Sequence, residues 1–338
     1  MIVLVITVVM NFGLLFIVAM ALNFMYGTAG VPFTGCSLPL LVGGMTVSVI
    51  TTRLVFFFVE MMGVGLLPYA SGYDWVYNND HNVNVLINEY LSTNPVLCIT
   101  LLLFTLAVSV ALGAAAGWVI STPTTRLRST HIMIVMLVIA DAFQLITRNF
   151  PALSGGKLGL YVPDLLAFYG EERRVVLAVI TLVIGLVVLV VIRSVRNSPY
   201  GRLMRAIREN ELVAGSVGKD VAGIRRDIIV FGSGIMALSG VLLSFYYTFV
   251  IQGTFSKPYW VYWPWVIIII GGLGNDAGTF LGTVLVVSLR HLIIMYKWSL
   301  NEILFFPSSY FLNMLLGILM LISMIFLPRG IIHEKPRA

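Results

Sequence analysis

From Ile2 to Leu22 the chain carries no charged residue, and apolar runs of this kind recur to its end. A helix rises 1.5 Å per residue and a bilayer's hydrocarbon core is about 30 Å thick, so roughly 20 apolar residues in a row cross it. Nine segments meet or approach that length: Ile2–Leu22, Ser37–Leu67, Pro95–Ile120, Thr130–Thr147, Val175–Ile192, Ile228–Val250, Trp260–Leu273, Phe280–Tyr296 and Tyr310–Leu327. The second is overlong and the seventh short. Of 338 residues only 11% are charged, against about 25% in soluble domains. No soluble-length segment separates the runs. The expected fold is therefore an all-α integral membrane protein, a polytopic helical bundle of about 8–10 transmembrane helices with broken or re-entrant segments. It forms one membrane domain over residues 1–338.

Charge then orients the spans. The stretch 193–227 holds Arg193, Arg196, Arg202, Arg205, Arg208, Lys219, Arg225 and Arg226. Arg126 and Arg128 sit in the connection after the third span, and Arg329, Lys335 and Arg337 in the tail 328–338. Counting spans in order puts all three on one side, which the positive-inside rule makes cytoplasmic. The segment 68–94 has Asp74, Asp80 and Glu89 with no Lys or Arg and falls on the other side. The expected topology is a multi-pass protein of the cytoplasmic membrane, N-terminus outside and C-terminus inside. This also accounts for the net charge of +6 without a nucleic-acid partner. The first run lacks a basic leader and a small-residue cleavage site, so it is expected to stay as a span. Cys36 and Cys98 have neither metal nor disulfide spacing and are expected to pack as small hydrophobes.

The informative connection begins at Ser198. Serine followed by Pro199 is a helix start, with a cap and then proline in the first turn. Leu203, Ile207 and Val213–Ala214 form one apolar strip, while Arg202, Arg205, Arg208, Glu209 and Glu211 lie largely elsewhere. The reading is a short amphipathic helix ending near Gly215–Gly218. Such a helix either rests on anionic lipid or inserts into a groove of a partner. A phosphate-binding loop is missing: Gly218-Lys219 is followed by Asp220, and Val213 stands where the first glycine is required. No ATP hydrolysis is expected on this chain.

Two further features concern the spans. Gly27, Gly30, Pro32 and Gly35 follow the first span, and Gly271, Gly272, Gly274 and Gly278 divide the seventh from the eighth. Both are either interfacial turns or broken helices beside a solute path, since non-helical backbone at membrane depth needs protein or a wet cavity around it. Ionisable residues in spans cost about 2.5–3.5 kcal/mol each at the centre and are suspects for function. Asp141, Gln144 and Arg148 share a helix face. An Asp141–Arg148 contact, a pairing with a neighbouring span, or a polar path lining would each account for it. Arg290 suits snorkelling and His291 packing. Tyr259, Trp260, Tyr262, Trp263 and Trp265 suit an interfacial aromatic belt.

Taken in order, several motifs resemble one family. They are Asn23 through Gly30, Leu153 through Gly159, the connection Ser198 through Val221, Gly271, Gly272 and Gly274 with Gly278 and Gly282, and Leu327 through Gly330. The chain is similar to the permease subunits of branched-chain amino acid ABC importers, a family that also covers urea and short-amide permeases. It departs where Thr34, Gly35, Cys36 and Ser37 replace the usual Leu-Gly-His-Ala, and the 68–94 insertion is longer than usual. The resemblance implies a pore-forming subunit that moves branched-chain amino acids or a related small polar solute by alternating access. Its partners would be two cytosolic ABC ATPases, a second permease and an extracytoplasmic solute-binding protein. ATP and Mg²⁺ would sit on the ATPases, with no cofactor and no metal on this chain. The ATPase-coupling loop would hold Pro199, Tyr200, Gly201, Arg202, Arg205, Ala206, Arg208, Glu209, Asn210 and Glu211. Candidate path-lining residues are Asn23, Gly27, Gly30, Gly35, Asp141, Gln144, Gly271, Gly272 and Gly274. A stand-alone secondary transporter or channel is the alternative, since broken helices and an intramembrane Asp suit it as well.

Overall fold

The computed structural model describes residues 2–61, 81–124, 129–297, 308–327 and 330–332. The expected residues Arg126, Arg128, Arg329, Lys335 and Arg337 and the segment 62–80 lie outside these. The helices are α1 (Ile2–Leu22), α2 (Ser37–Met45), α3 (Thr52–Met61), α4 (His81–Thr93), α5 (Pro95–Thr124), α6 (Ser129–Asn149) and α7 (Pro151–Ser154). They continue with α8 (Arg173–Asn197), α9 (Pro199–Glu209), α10 (Glu211–Ser216), α11 (Val221–Tyr247), α12 (Trp263–Gly271), α13 (Asp276–Met295) and α14 (Ser308–Phe326). Wider π turns extend α1 through Asn23–Thr28, join α2 to α3 through Thr46–Thr51 and lead into α12 through Pro258–Tyr262. The second span is thus one continuous helical rod from Ser37 to Met61.

Among the described residues, seven helices are long and apolar enough to cross a membrane. The protein is an all-α, multi-pass membrane protein. Within the bundle α11 is the centre: 83% of its apolar stretch is buried, against 22% for α6 at the rim. It packs against α5, α2 and α1, while α8 and α13 close on the other side of α1. Small residues make this possible. A side chain at Gly240 of α11 would run into the Leu40 carbonyl, and one at Gly43 of α2 into the Ala237 carbonyl. Gly113 and Gly117 of α5 meet Ala237 and Ser233 in the same way. Helices in lipid gain little from hydrophobic burial against each other, so close backbone approach supplies the packing. Outward faces such as Val183, Leu186, Val187 and Val190 on α8 stay exposed and apolar, as a lipid contact requires.

The structure changes one expectation, keeps the seventh segment short and adds a strand ladder. The segment 68–94 is not all loop, because its described half forms α4, where Asn88 Oδ1 accepts from the Asp164 amide at 2.7 Å. The seventh span is a half-length rod. Pro258–Gly271 covers about 21 Å at 1.5 Å per residue, well short of a bilayer core. A two-residue antiparallel ladder, β1 (Leu160–Tyr161) with β2 (Phe249–Val250), ties the α7–α8 connection to the end of α11. Gly159, at φ 76°, makes the turn into it beneath the Phe249 ring, where a side chain has no room.

Candidate functional site

At one end of the bundle α8 hands over to a bent pair, α9 and α10, before the chain re-enters as α11. Ser198 is extended; its Oγ donates to the Val195 carbonyl at 2.7 Å and accepts from the Gly201 amide at 3.4 Å, with Pro199 first in the helix. Gly201 sits on the Arg196 carbonyl, which leaves no space for a Cβ. The buried strip of α9 is Gly201, Met204 and Ile207, with Leu203 only half-buried. The amphipathic helix does not run on as expected. It breaks at Asn210 (φ −153°), whose Oδ1 caps a new helix by accepting from the Leu212 and Val213 amides at 3.1 Å each. Only Ala214 of α10 is buried. Leu212 is 85% exposed, Val213 56% and Val217 65%. Val213 therefore leaves the expected apolar strip, and the elbow ends in an apolar knob. Glu211 Oε2 meets Arg225 Nη2 of α11 at 2.6 Å and fixes the knob's angle.

Beneath the elbow the two glycine segments meet. Gly27 lies against the backbone of Gly274. Asn23, fully buried, accepts from the Gly274 amide at 2.8 Å and donates to Thr279 Oγ1 at 2.7 Å and to the Asn275 carbonyl at 3.2 Å. Arg208 of α9 donates to the Gly27 carbonyl, and its stem covers Gly30, which has φ 69°. From α8, Arg196 Nη1 reaches Asp276 Oδ1 at 2.6 Å and the Gly274 carbonyl at 3.2 Å; Arg193 Nε adds a contact to Asp276 Oδ2 at 3.4 Å. The amides of Ile331 and Ile332 cap the Ile270 and Gly271 carbonyls, and Gly330 packs on Gly272. Burial and the nearby Asp227 carboxylate push the Tyr200 phenol up to about 12, keeping it neutral at working pH. Through Arg208, α9 is thus tied to the end of α1, and Asn23 and Arg196 tie that end and α8 to the α12–α13 connection.

The expected coupling residues divide by role. Pro199, Gly201 and Asn210 shape the elbow, and Arg205 reaches back to the Arg196 carbonyl at 3.4 Å. Arg208 and Glu211 tie it down, while Arg202, Ala206 and Glu209 face outward. Of the path candidates, Asn23, Gly27, Gly30, Gly271, Gly272 and Gly274 gather under the elbow. They were expected to line a solute path, yet Gly27 O, Gly271 O and both Gly274 groups are taken by partners in the chain. Gly35 packs beside the Met136 carbonyl of α6. Asp141 does not pair with Arg148; its partner is Lys257, and Gln144 donates to the Phe255 carbonyl at 2.8 Å. Together they hold the irregular segment before α12. Asp276 and Lys257 went unselected in the sequence because their partners Arg196 and Asp141 lie 80 and 116 positions away, and Arg225 because it reads as one more basic residue of the connection.

Residues 4–324 match the family model of the branched-chain amino acid transport system permease component. The chain belongs to this family. It is 33% identical over 328 residues to the probable branched-chain amino acid transport permease protein LivM of Methanocaldococcus jannaschii, covering 96% of this chain and 92% of that one. It is 24% identical to the high-affinity branched-chain amino acid transport system permease protein LivM of Escherichia coli, over 87% of this chain and 71% of that one. The LivM protein of Salmonella typhimurium matches to the same extent. No solved structure matches. The permease is thus the membrane component of a transport system.

Proposed function

We propose that this permease is one membrane subunit of an ATP-driven importer for branched-chain amino acids. It would be paired with a second permease and served by two cytosolic ATPases and an extracytoplasmic binding protein. The observation that carries the reading is the elbow. An apolar knob of Leu212, Val213 and Val217 stands out at the end where the basic residues collect, and Arg202, Glu209 and Lys219 are exposed on the same connection. A lipid-resting helix would turn its apolar face flat to the membrane. Here the apolar strip of α9 faces the bundle, and the α10 knob points away from it. A knob seated in an ATPase groove buries that surface and gains about 25 cal/mol per Å² of apolar area.

Movement of the ATPases then travels through α9. Arg208 carries it to the turn at Gly27, and Asn23 carries it on to the α12–α13 connection. The half-length α12 and the π turn of α1, which these contacts grip, would shift with α9 and open the solute path to one side and then the other. ATP and Mg²⁺ act on the ATPases alone. The orientation that goes with this reading puts the N-terminus outside and the elbow in the cytoplasm.

Co-purification of the ATPases with the membrane complex tests it. Leu212→Asp combined with Val213→Asp, or deletion of 202–211, is expected to release the ATPases while the chain still inserts into the membrane. Undiminished ATPase binding in both variants would overturn the reading. Ion-gradient uptake by this chain alone, without ATP, would establish the stand-alone transporter instead.

A further inference from the structure

Away from the elbow, a cavity of about 510 Å³ lies among the N-terminal half of α1, the C-terminal half of α13 and the segment leading into α12. One polar chain runs along it. Tyr259 Oη donates to Asn11 Oδ1 at 2.7 Å; Asn11 Nδ2 donates to the Thr7 carbonyl at 2.8 Å and faces His291 Nε2 at 3.4 Å. His291 Nδ1 lies 2.9 Å from the Val287 carbonyl. A carbonyl only accepts, so the proton sits on Nδ1, Nε2 accepts from Asn11, and the ring is neutral. These donors are committed within the protein.

Arg290 is different. Its guanidinium stacks 4.2 Å from the centre of the Tyr259 ring and borders the cavity. Among the described residues no carboxylate pairs with it. A cation within a span without a counter-ion marks a functional site by default. A guanidinium has five N–H donors, so one resting on an aromatic ring still has donors for a planar anion. Leu4, Leu243 and Ile294 give the same space an aliphatic wall, and Thr254 and Ser256 add hydroxyl oxygens able to accept from an ammonium. An anion beside an aliphatic wall and hydroxyl acceptors describes an aliphatic α-amino acid.

We infer that this cavity binds the solute itself, with Arg290 taking the carboxylate of an aliphatic amino acid and Leu4, Leu243 and Ile294 its side chain. The inference rests on the transport reading above and adds a place within the permease where cargo is recognised by chemistry. An anionic lipid phosphate is the competing occupant of such an arginine.

The test is radiolabelled leucine binding to the assembled complex, without binding protein, in nanodiscs of phosphatidylcholine. Arg290→Gln is expected to weaken binding about tenfold or more, as loss of a desolvated charge pair does, and Arg290→Lys to restore part of it. Valine should compete, and isopentylamine, which keeps the branched skeleton without the carboxylate, should not. Unchanged leucine binding in Arg290→Gln, or competition by isopentylamine equal to valine, overturns the inference. So does leucine binding that phosphatidylglycerol abolishes, since the arginine then serves a lipid. If Arg290→Gln does not assemble, Leu243→Trp fills the apolar part with the arginine intact, and unchanged binding there is equally fatal. ATP-dependent leucine uptake by the unaltered complex separates the two levels. No uptake overturns the transport reading and the inference with it, whereas uptake alongside unaffected variants overturns the inference alone.

Discussion

Arg196 and Asp276 show how much of this protein depends on single polar contacts. Their side chains are 8% and 9% exposed, and they meet 80 positions apart in the sequence at 2.6 Å. Desolvating two charges is repaid only by good geometry and further hydrogen bonds, which the Gly274 carbonyl and Arg193 supply here. Asp276 also stands in the first turn of α13, where a carboxylate is favoured by the helix dipole. Asp276→Ala strands a buried guanidinium and is expected to cost about 3–5 kcal/mol. Asp276→Asn should fall between, and Arg196→Met with Asp276→Leu should recover most of the loss, because an apolar pair leaves no orphan charge. Thermal unfolding in detergent gives the order of midpoints. A double variant as unstable as the single one would show that the two residues are not coupled. Neither residue announced this role in the sequence: Arg196 was one of many basic residues near a span end, and Asp276 one acid in a glycine-rich turn.

The elements were more legible than their joints. Run length gave α1, α5, α8 and α11, because a bilayer fixes how many apolar residues a span needs. Ser198 with Pro199 gave the start of α9 by cap chemistry alone. The break at Asn210 was missed, since Glu209, Asn210 and Glu211 read as one polar face although asparagine is also a cap. Met204 replaces Leu203 in the buried strip because α9 is rolled by its packing on α8, and periodicity cannot separate adjacent apolar positions. The β1–β2 ladder is two residues long and has no pattern to read. Glycines could be seen but not their purpose, which is close helix contact at Gly43 and Gly240. Gly240→Val drives a side chain into the Leu40 carbonyl, and overpacking of this kind costs about 1–3 kcal/mol. Gly317→Val in α14, with nothing within 4 Å of the added atom, is the matched control. Melting followed by size-exclusion chromatography should show a clear drop for the first and none for the second. Equal melting would mean that the α2–α11 crossing yields to accommodate the side chain.

For the whole molecule the open quantity is which end faces the cytoplasm, and the structure offers a clean pair of reporters. Leu212 on the elbow is 85% exposed, and Leu158, in the turn before β1, is 86% exposed. The rod of α8, 25 residues and about 37 Å long, separates the two regions, so a membrane between them is an effective barrier. Both native thiols, Cys36 and Cys98, are fully buried and should stay silent towards a bulky maleimide. The arginine concentrated in 193–226 is the ground for proposing that the elbow lies on the cytoplasmic side. Leu158→Cys should therefore react with a membrane-impermeant maleimide in intact cells, and Leu212→Cys only after the membrane is opened. Labelling in the reverse order would turn the bundle over and remove the elbow from any cytosolic ATPase. Leu212→Cys carries a second reading within the same experiment. If the knob seats in a partner groove, its thiol should be protected in the assembled complex and become reactive when the ATPases are stripped away. Reactivity that ignores the ATPases, in the expected orientation, would keep the topology and reject the knob as the point of contact.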